Sequence, residues 1–161
     1  MIKQIISIYL YFIFILISGH DINEQFLLCK QCGHEIALIK DLTYKKSDLS
    51  LKQWNDSTLF HHTTPVSIQQ FRNPNGHIFD LITVLKADLY LINDTRSIQD
   101  TWFPKFYWTI CICPKCHLHL GWMFDSNIVG ENNFFALILD KILNEQYAES
   151  IIMQPKLRMY K

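Results

Sequence analysis

Two cysteine knuckles constrain this chain more than any other feature. Cys29-Lys30-Gln31-Cys32 and Cys113-Pro114-Lys115-Cys116 have the same C-x-x-C form, and the whole stretch Gly33–Ile112 lies between them. A two-residue bridge lets a chain turn around a metal so that both sulfurs reach it at about 2.3 Å, and a pair of such knuckles supplies a complete tetrahedral set for Zn²⁺. The candidate metal ligands are therefore Cys29, Cys32, Cys113 and Cys116. The separation is far wider than in a zinc ribbon, so a metal here would tie together the two ends of an entire domain. Closing so long a loop stabilises a fold on the order of several kcal/mol. Disulfides are the competing use of these thiols, since an exported protein normally oxidises its cysteines. Against them stand the odd count of five and the tiny loops that bridges within each knuckle would close. Cys111 is left over, alternating with Ile110 and Ile112 on an apolar strand, a position that suits an inert buried thiol better than a nucleophile. His34, His117 and His119 crowd the knuckles and are expected as supporting or surface residues.

The N-terminus reads as a leader. Lys3 is the only charge before His20, and the run Ile5–Ile17 is almost wholly apolar, followed by Ser18 and Gly19. A basic start, a short apolar core and small residues before a polar stretch describe a secretory signal peptide over 1–19. The run falls short of the ~20 residues of a comfortable membrane span, so the mature chain is expected to be secreted and not embedded in a membrane. Asn55-Asp56-Ser57 and Asn93-Asp94-Thr95 are N-glycosylation sequons, which makes Asn55 and Asn93 candidate glycan sites.

With 15 basic and 15 acidic residues the chain is formally neutral, which argues against nucleic-acid binding through bulk charge. No repeat or long linker divides it, and one domain over 20–145 with a tail over 146–161 is expected. Asn73-Pro74-Asn75-Gly76 is a turn signal, because proline fixes φ and Asn-Gly suits positive φ. His77–Ile92 reads as one long or two short strands, and Phe106–Ile112 and Leu118–Phe124 as two more. Glu131–Tyr147 fits a helical period through Phe134, Leu137, Ile138 and Ile142, so a short C-terminal helix is predicted. Lys40–Thr64 reads as an irregular excursion. The fold class is mainly β.

Aromatic residues make up 14% of the chain, and three of the four tryptophans converge. If Cys113–Cys116 is a hairpin turn, Trp108 and Trp122 come out roughly across from one another, away from the metal end. Phe124 shares the face of Trp122. Trp102 lies in a loop that can fold back over the pair. Core packing accounts for two tryptophans more readily than for three with one on a loop, because buried indole N–H groups need partners. An aromatic box open on one side suits a small flat or cationic ligand. Trp54 stands apart.

These motifs, in order and spacing, resemble a known family. Cys29-Lys30-Gln31-Cys32, Asn73-Pro74-Asn75-Gly76, Trp102-Phe103-Pro104, Tyr107-Trp108-Thr109, Cys113-Pro114-Lys115-Cys116 and Gly121-Trp122-Met123-Phe124 are similar to the CULT domain, the thalidomide-binding domain of cereblon, and the likeness runs to about Leu143. The resemblance implies a β-tent of two antiparallel sheets pinned by a four-cysteine zinc site. It implies a non-catalytic cage of Trp102, Trp108 and Trp122, with Phe124 behind and Asn73 and Pro74 at the rim, that holds a glutarimide-like cyclic imide or an imide-bearing peptide end. In the family the imide bonds to backbone beside the first tryptophan, so Asp100 joins the expected ligand set. It stands where the family carries a histidine. No segment for a ubiquitin-ligase adaptor is apparent, so a stand-alone, secreted CULT-domain protein is expected. The alternatives are a zinc-bearing methionine sulfoxide reductase of the B type, for which Cys111 is the candidate thiol, and a structural secreted domain without a ligand.

Overall fold

The computed structural model describes residues 25–61, 65–145 and 148. The leader over 1–19 and nearly all of the tail over 146–161 lie outside the described residues. Among the described residues eleven strands form two antiparallel sheets. The small sheet has the order β11-β1-β2, from Ile142–Asn144, Phe26–Cys29 and Glu35–Leu38. The large sheet contains β3 (Leu42–Thr43), β4 (Lys52–Asp56), β5 (Val66–Arg72), β6 (Ile78–Val84), β7 (Tyr90–Leu91), β8 (Tyr107–Ile112), β9 (His119–Asp125) and β10 (Phe134–Ile138). Its order is β4-β5-β6-β10-β9-β8-β7, with β3 paired to the end of β6. Among the described residues no helix is long and apolar enough to cross a membrane.

The chain passes between the sheets twice, each time through one turn of 3-10 helix. Ile39–Asp41 leads from β2 to β3, and Leu139–Lys141 leads from β10 back to β11. The residues at the two crossings match in character. Leu38-Ile39-Lys40-Asp41-Leu42 and Ile138-Leu139-Asp140-Lys141-Ile142 each place two charges between apolar residues. The apolar positions anchor the flanking strands, and the charges occupy the exposed corner.

The core divides accordingly. Leu27, Ile36, Val84, Leu120, Leu137 and Ile142 pack around the cysteine end, where the sheets meet. Phe71, Phe103, Phe106, Phe124, Phe134 and Ile138 form a second, aromatic core beneath the far end of the large sheet. Trp54, on β4, packs against the first of these.

Two expectations are corrected. The helix predicted over Glu131–Tyr147 is absent from Phe134–Asn144, which forms β10, the 3-10 crossing and β11. β10 is buried on both faces, so its apolar residues run together without alternation and mimic one turn of a helical period. The stretch Lys40–Thr64, read as irregular, contributes β3 and the outermost strand β4. β4 carries mostly polar, exposed side chains, as edge strands do, so no apolar pattern reveals it.

Candidate ligand cage and cysteine cluster

The four knuckle cysteines come together where the sheets meet. Their sulfurs all lie within 4.8 Å of one another, with Cys29 Sγ 3.6 Å from Cys116 Sγ and Cys32 Sγ 3.5 Å from Cys113 Sγ. A tetrahedron of sulfurs about 2.3 Å from a central zinc has edges of about 3.8 Å, which these separations match. A disulfide needs sulfurs at about 2.05 Å, and all five cysteines are free thiols in the structure. The donor set therefore fits a metal such as zinc.

Both knuckles are built the same way. The Cys29 N–H donates to the His34 carbonyl at 2.8 Å and the Gly33 N–H donates back to the Cys29 carbonyl at 2.8 Å. In the second knuckle the Cys113 N–H donates to Leu118 at 2.9 Å and the His117 N–H to Cys113 at 3.0 Å. Gly33 (φ 72°) and His117 (φ 60°) hold the equivalent left-handed position. His34 is not a ligand; its Nε2 lies 2.8 Å from Asp88 Oδ2. Cys111 is fully buried on β8, and burial pushes its thiol up to about 12.

At the other end of β8 and β9 the large sheet carries an open cavity of about 430 Å³. Every residue that the sequence put forward for ligand binding lines it: Asn73, Pro74, Asp100, Trp102, Trp108, Trp122 and Phe124. Asn73 and Pro74 belong to the β5–β6 turn, where the Asn73 side chain accepts the His77 N–H at 2.8 Å and Gly76 adopts φ 86°. Trp108 stands on β8, and Trp122 and Phe124 on β9. The cross-strand register makes the expected placement specific: Trp108 lies opposite Phe124, and Trp122 opposite Ile110, so the two indoles are diagonal neighbours on one face.

Trp102 is held by the segment Ser97–Phe106. Phe103 is driven into the aromatic core, edge-on to Phe124 at 4.7 Å and Phe134 at 4.9 Å. This fixes the segment, so Trp102 stacks on Phe71 at 5.1 Å and meets Trp122 edge-on at 4.9 Å. Two of the indole N–H groups are satisfied by backbone: Trp102 donates to the Arg72 carbonyl at 3.1 Å and Trp108 to the Gln99 carbonyl at 2.7 Å. From beneath, Ser47 Oγ donates to the Trp102 carbonyl. Ser47 is itself buried, its N–H bonded at 2.8 Å to the buried Gln69 amide. The tryptophans thus stand in a preformed arrangement.

Phe79, Ile110, Asn75 and His119 also line the cavity, and sequence reasoning missed them. His119 is the instructive case, because it was expected as a supporting or surface residue near the knuckle. Cys111 pairs with Gly121 but Ile112 pairs with His119, so Leu120 is the extra residue of a β-bulge. Simple alternation from Trp122 would turn His119 to the other face; the bulge brings it back to the cage. There its ring meets Trp122 edge-on at 4.7 Å. The available signal was Gly121, since a lone glycine inside a strand pattern marks a bulge or a close backbone approach.

With this geometry in place, likeness to known proteins is specific. The chain is 29% identical to protein cereblon of Danio rerio over 100 residues, covering 62% of this chain and 20% of that protein. It is 31% identical to protein cereblon of Gallus gallus over 92 residues, covering 53% and 21%. For Xenopus tropicalis the figures are 40% over 54 residues, 34% and 12%. The domain is cereblon-like. This cereblon-like chain spans about a fifth of the length of the first two relatives, and no family model matches it.

Proposed function

We propose that this cereblon-like domain is a non-catalytic binding module whose cage of Trp102, Trp108 and Trp122 captures a small cyclic imide, free or at the end of a peptide. The observation that carries this reading is the aromatic cavity together with the backbone at its rim. No hydrogen bond among the described residues uses the Asp100 carbonyl or the Trp102 N–H, which flank Thr101 in the chain. An imide edge presents an N–H beside a carbonyl and complements that pair, while the indoles and Phe124 cover the ring. Titrating the metal-loaded domain with glutarimide and following tryptophan fluorescence tests the reading. Saturable quenching supports it, and a flat response to millimolar glutarimide overturns it.

In this reading the metal is Zn²⁺ with a structural role, bound by all four cysteines with no open coordination position. A sulfoxide reductase needs an accessible thiol of low pKa outside the metal set. Cys111 is the one of the five cysteines outside the cluster, and its burial and raised pKa favour binding over that chemistry. We propose export as well, from the apolar run and the single lysine before it. The sequon residues Asn55 and Asn93 are exposed and available to glycans. Expression in a secreting eukaryotic cell decides both points. The expected product is a leader-free chain in the medium that shortens on glycosidase treatment, and a full-length chain retained in washed membranes sinks the proposal.

A further inference from the structure

His119 faces the cage with one nitrogen committed and the other not. Its Nε2 lies 3.1 Å from the Gly121 carbonyl oxygen, an atom that can only accept, so Nε2 carries the proton. In the neutral ring Nδ1 is then an acceptor, and no donor among the described residues bonds to it. Burial disfavours a second proton, and the charge of Lys141 opposes it further. The other charges around this corner are Asp140, paired with Lys141 at 3.1 Å, and Asp100 on the cavity rim. A bulge that spends a strand residue to bring a polar side chain to the lining of an aromatic cavity is the kind of irregularity found beside binding sites.

We infer that His119 is a ligand-contacting residue that selects cyclic imides carrying a second N–H, the ureide class, through its Nδ1. This rests on the imide-cage reading and sharpens it. The Asp100–Trp102 backbone takes the imide edge common to all such rings, and His119 takes a donor that glutarimide lacks. A site built to accept a hydrogen bond discriminates against the isostere without the donor, because the acceptor is then left dry and unpaired.

The test compares glutarimide with dihydrouracil, which has N–H in place of one ring CH₂ next to a carbonyl. Both are titrated into the metal-loaded wild type, His119→Gln and His119→Phe. Glutamine can still donate to the Gly121 carbonyl and keeps an acceptor in its amide oxygen, whereas phenylalanine removes both and keeps the edge contact with Trp122 alone. Wild type is expected to bind dihydrouracil about five-fold more tightly than glutarimide. In His119→Phe that ratio should fall to about one through loss of dihydrouracil affinity, while His119→Gln should retain a preference for dihydrouracil. A ratio of one in wild type, or a ratio preserved in His119→Phe, overturns the assignment of His119 alone. Loss of both probes in both variants overturns it too, because His119 would then build the cage and not read the ligand. Failure of wild type to bind either ring removes the imide-cage reading itself, and this inference with it.

Discussion

Gly121 on β9 and Ala136 on β10 approach so closely that a Cβ on Gly121 would sit 2.0 Å from the Ala136 carbonyl oxygen. Gly121 also holds φ +149°, a conformation open in practice only to glycine. This close approach lies between the cysteine cluster and the cage, beside the bulge that turns His119. The obstructing atom is backbone in a central strand, so relief requires moving β10 as a whole. Gly121→Ala is expected to cost about 3 kcal/mol or more, above the usual range for overpacking. Denaturant unfolding of the metal-loaded variant measures it, and a loss below about 1 kcal/mol contradicts the argument.

That one glycine also shows where the sequence stops being legible. The knuckles, the Asn73–Gly76 turn and strands β6, β8 and β9 are readable because each rests on local chemistry: metal-ligand spacing, a fixed proline φ, or side-chain alternation. Trp108 and Trp122 could be gathered onto one cage because the hairpin that turns at Cys113–Cys116 sets their distance from its turn, and Trp102 stands in a loop that folds back over the pair. What failed depended on neighbours that the sequence does not name. β10 is buried on both faces, so the apolar run Phe134–Ile138 loses its period of two. His119 changes face through a bulge whose only local mark is Gly121. The matched crossings at Ile39–Asp41 and Leu139–Lys141 become recognisable only when two sheets are known to need joining.

Metal should separate the cysteines into two groups. Removing Cys32 leaves three sulfurs and breaks the link between the sheets, so Cys32→Ser should lose stoichiometric zinc and cooperative unfolding, since metal-binding energy in such a site is folding energy. Cys111→Ala should keep one zinc per chain and lose only about 1 kcal/mol, the scale for removing a small buried group. Metal analysis beside thermal unfolding reads both. A Cys32→Ser protein that unfolds as wild type, with or without chelator, would falsify the structural role.

The equivalent left-handed positions of the knuckles differ in tolerance. Gly33→Val puts a β-branched residue at φ 72° and should destabilise by about 1–2 kcal/mol. His117→Gly relieves a side chain held at φ 60° but gives the unfolded chain more freedom, so a net gain of about 0.5 kcal/mol is expected. Both variants should bind zinc. Stabilities that move in the opposite directions contradict the shared geometry.

In the cage, Trp108→Ala and Trp122→Ala should abolish measurable glutarimide binding while zinc stays bound, because each removes a large apolar wall far from the cluster. Trp54→Ala should leave binding intact, since that ring packs against the other core. Asp100 is exposed and at φ 54°, a conformation that histidine tolerates and β-branched residues do not. If its carbonyl reads the imide, Asp100→His should change affinity by no more than about two-fold while Asp100→Val weakens it at least ten-fold. Calorimetric titration separates these outcomes, and equal affinity in wild type and Trp122→Ala removes the cage from the argument.

The last expectation concerns acid. Burial of His119 disfavours its charged form and lowers its pKa from the usual 6.5, an effect opposed by the bond to Gly121 and reinforced by Lys141. Above pH 6.5 the ring is neutral in the folded and the unfolded chain alike, and its contribution to stability is fully present. As pH falls through 6.5 the unfolded chain binds the proton first, so folding stability declines until the lower folded pKa is reached and the loss levels off. Zinc release at acid pH adds its own slope, but that slope is common to wild type and His119→Gln. The difference between the two stability curves therefore isolates the histidine. Wild type should lose stability relative to His119→Gln across the window just below pH 6.5, with equal zinc content in both proteins. Parallel curves through that window would mean that His119 takes up its proton as easily in the folded domain as in the unfolded chain, and that the cage does not hold it neutral.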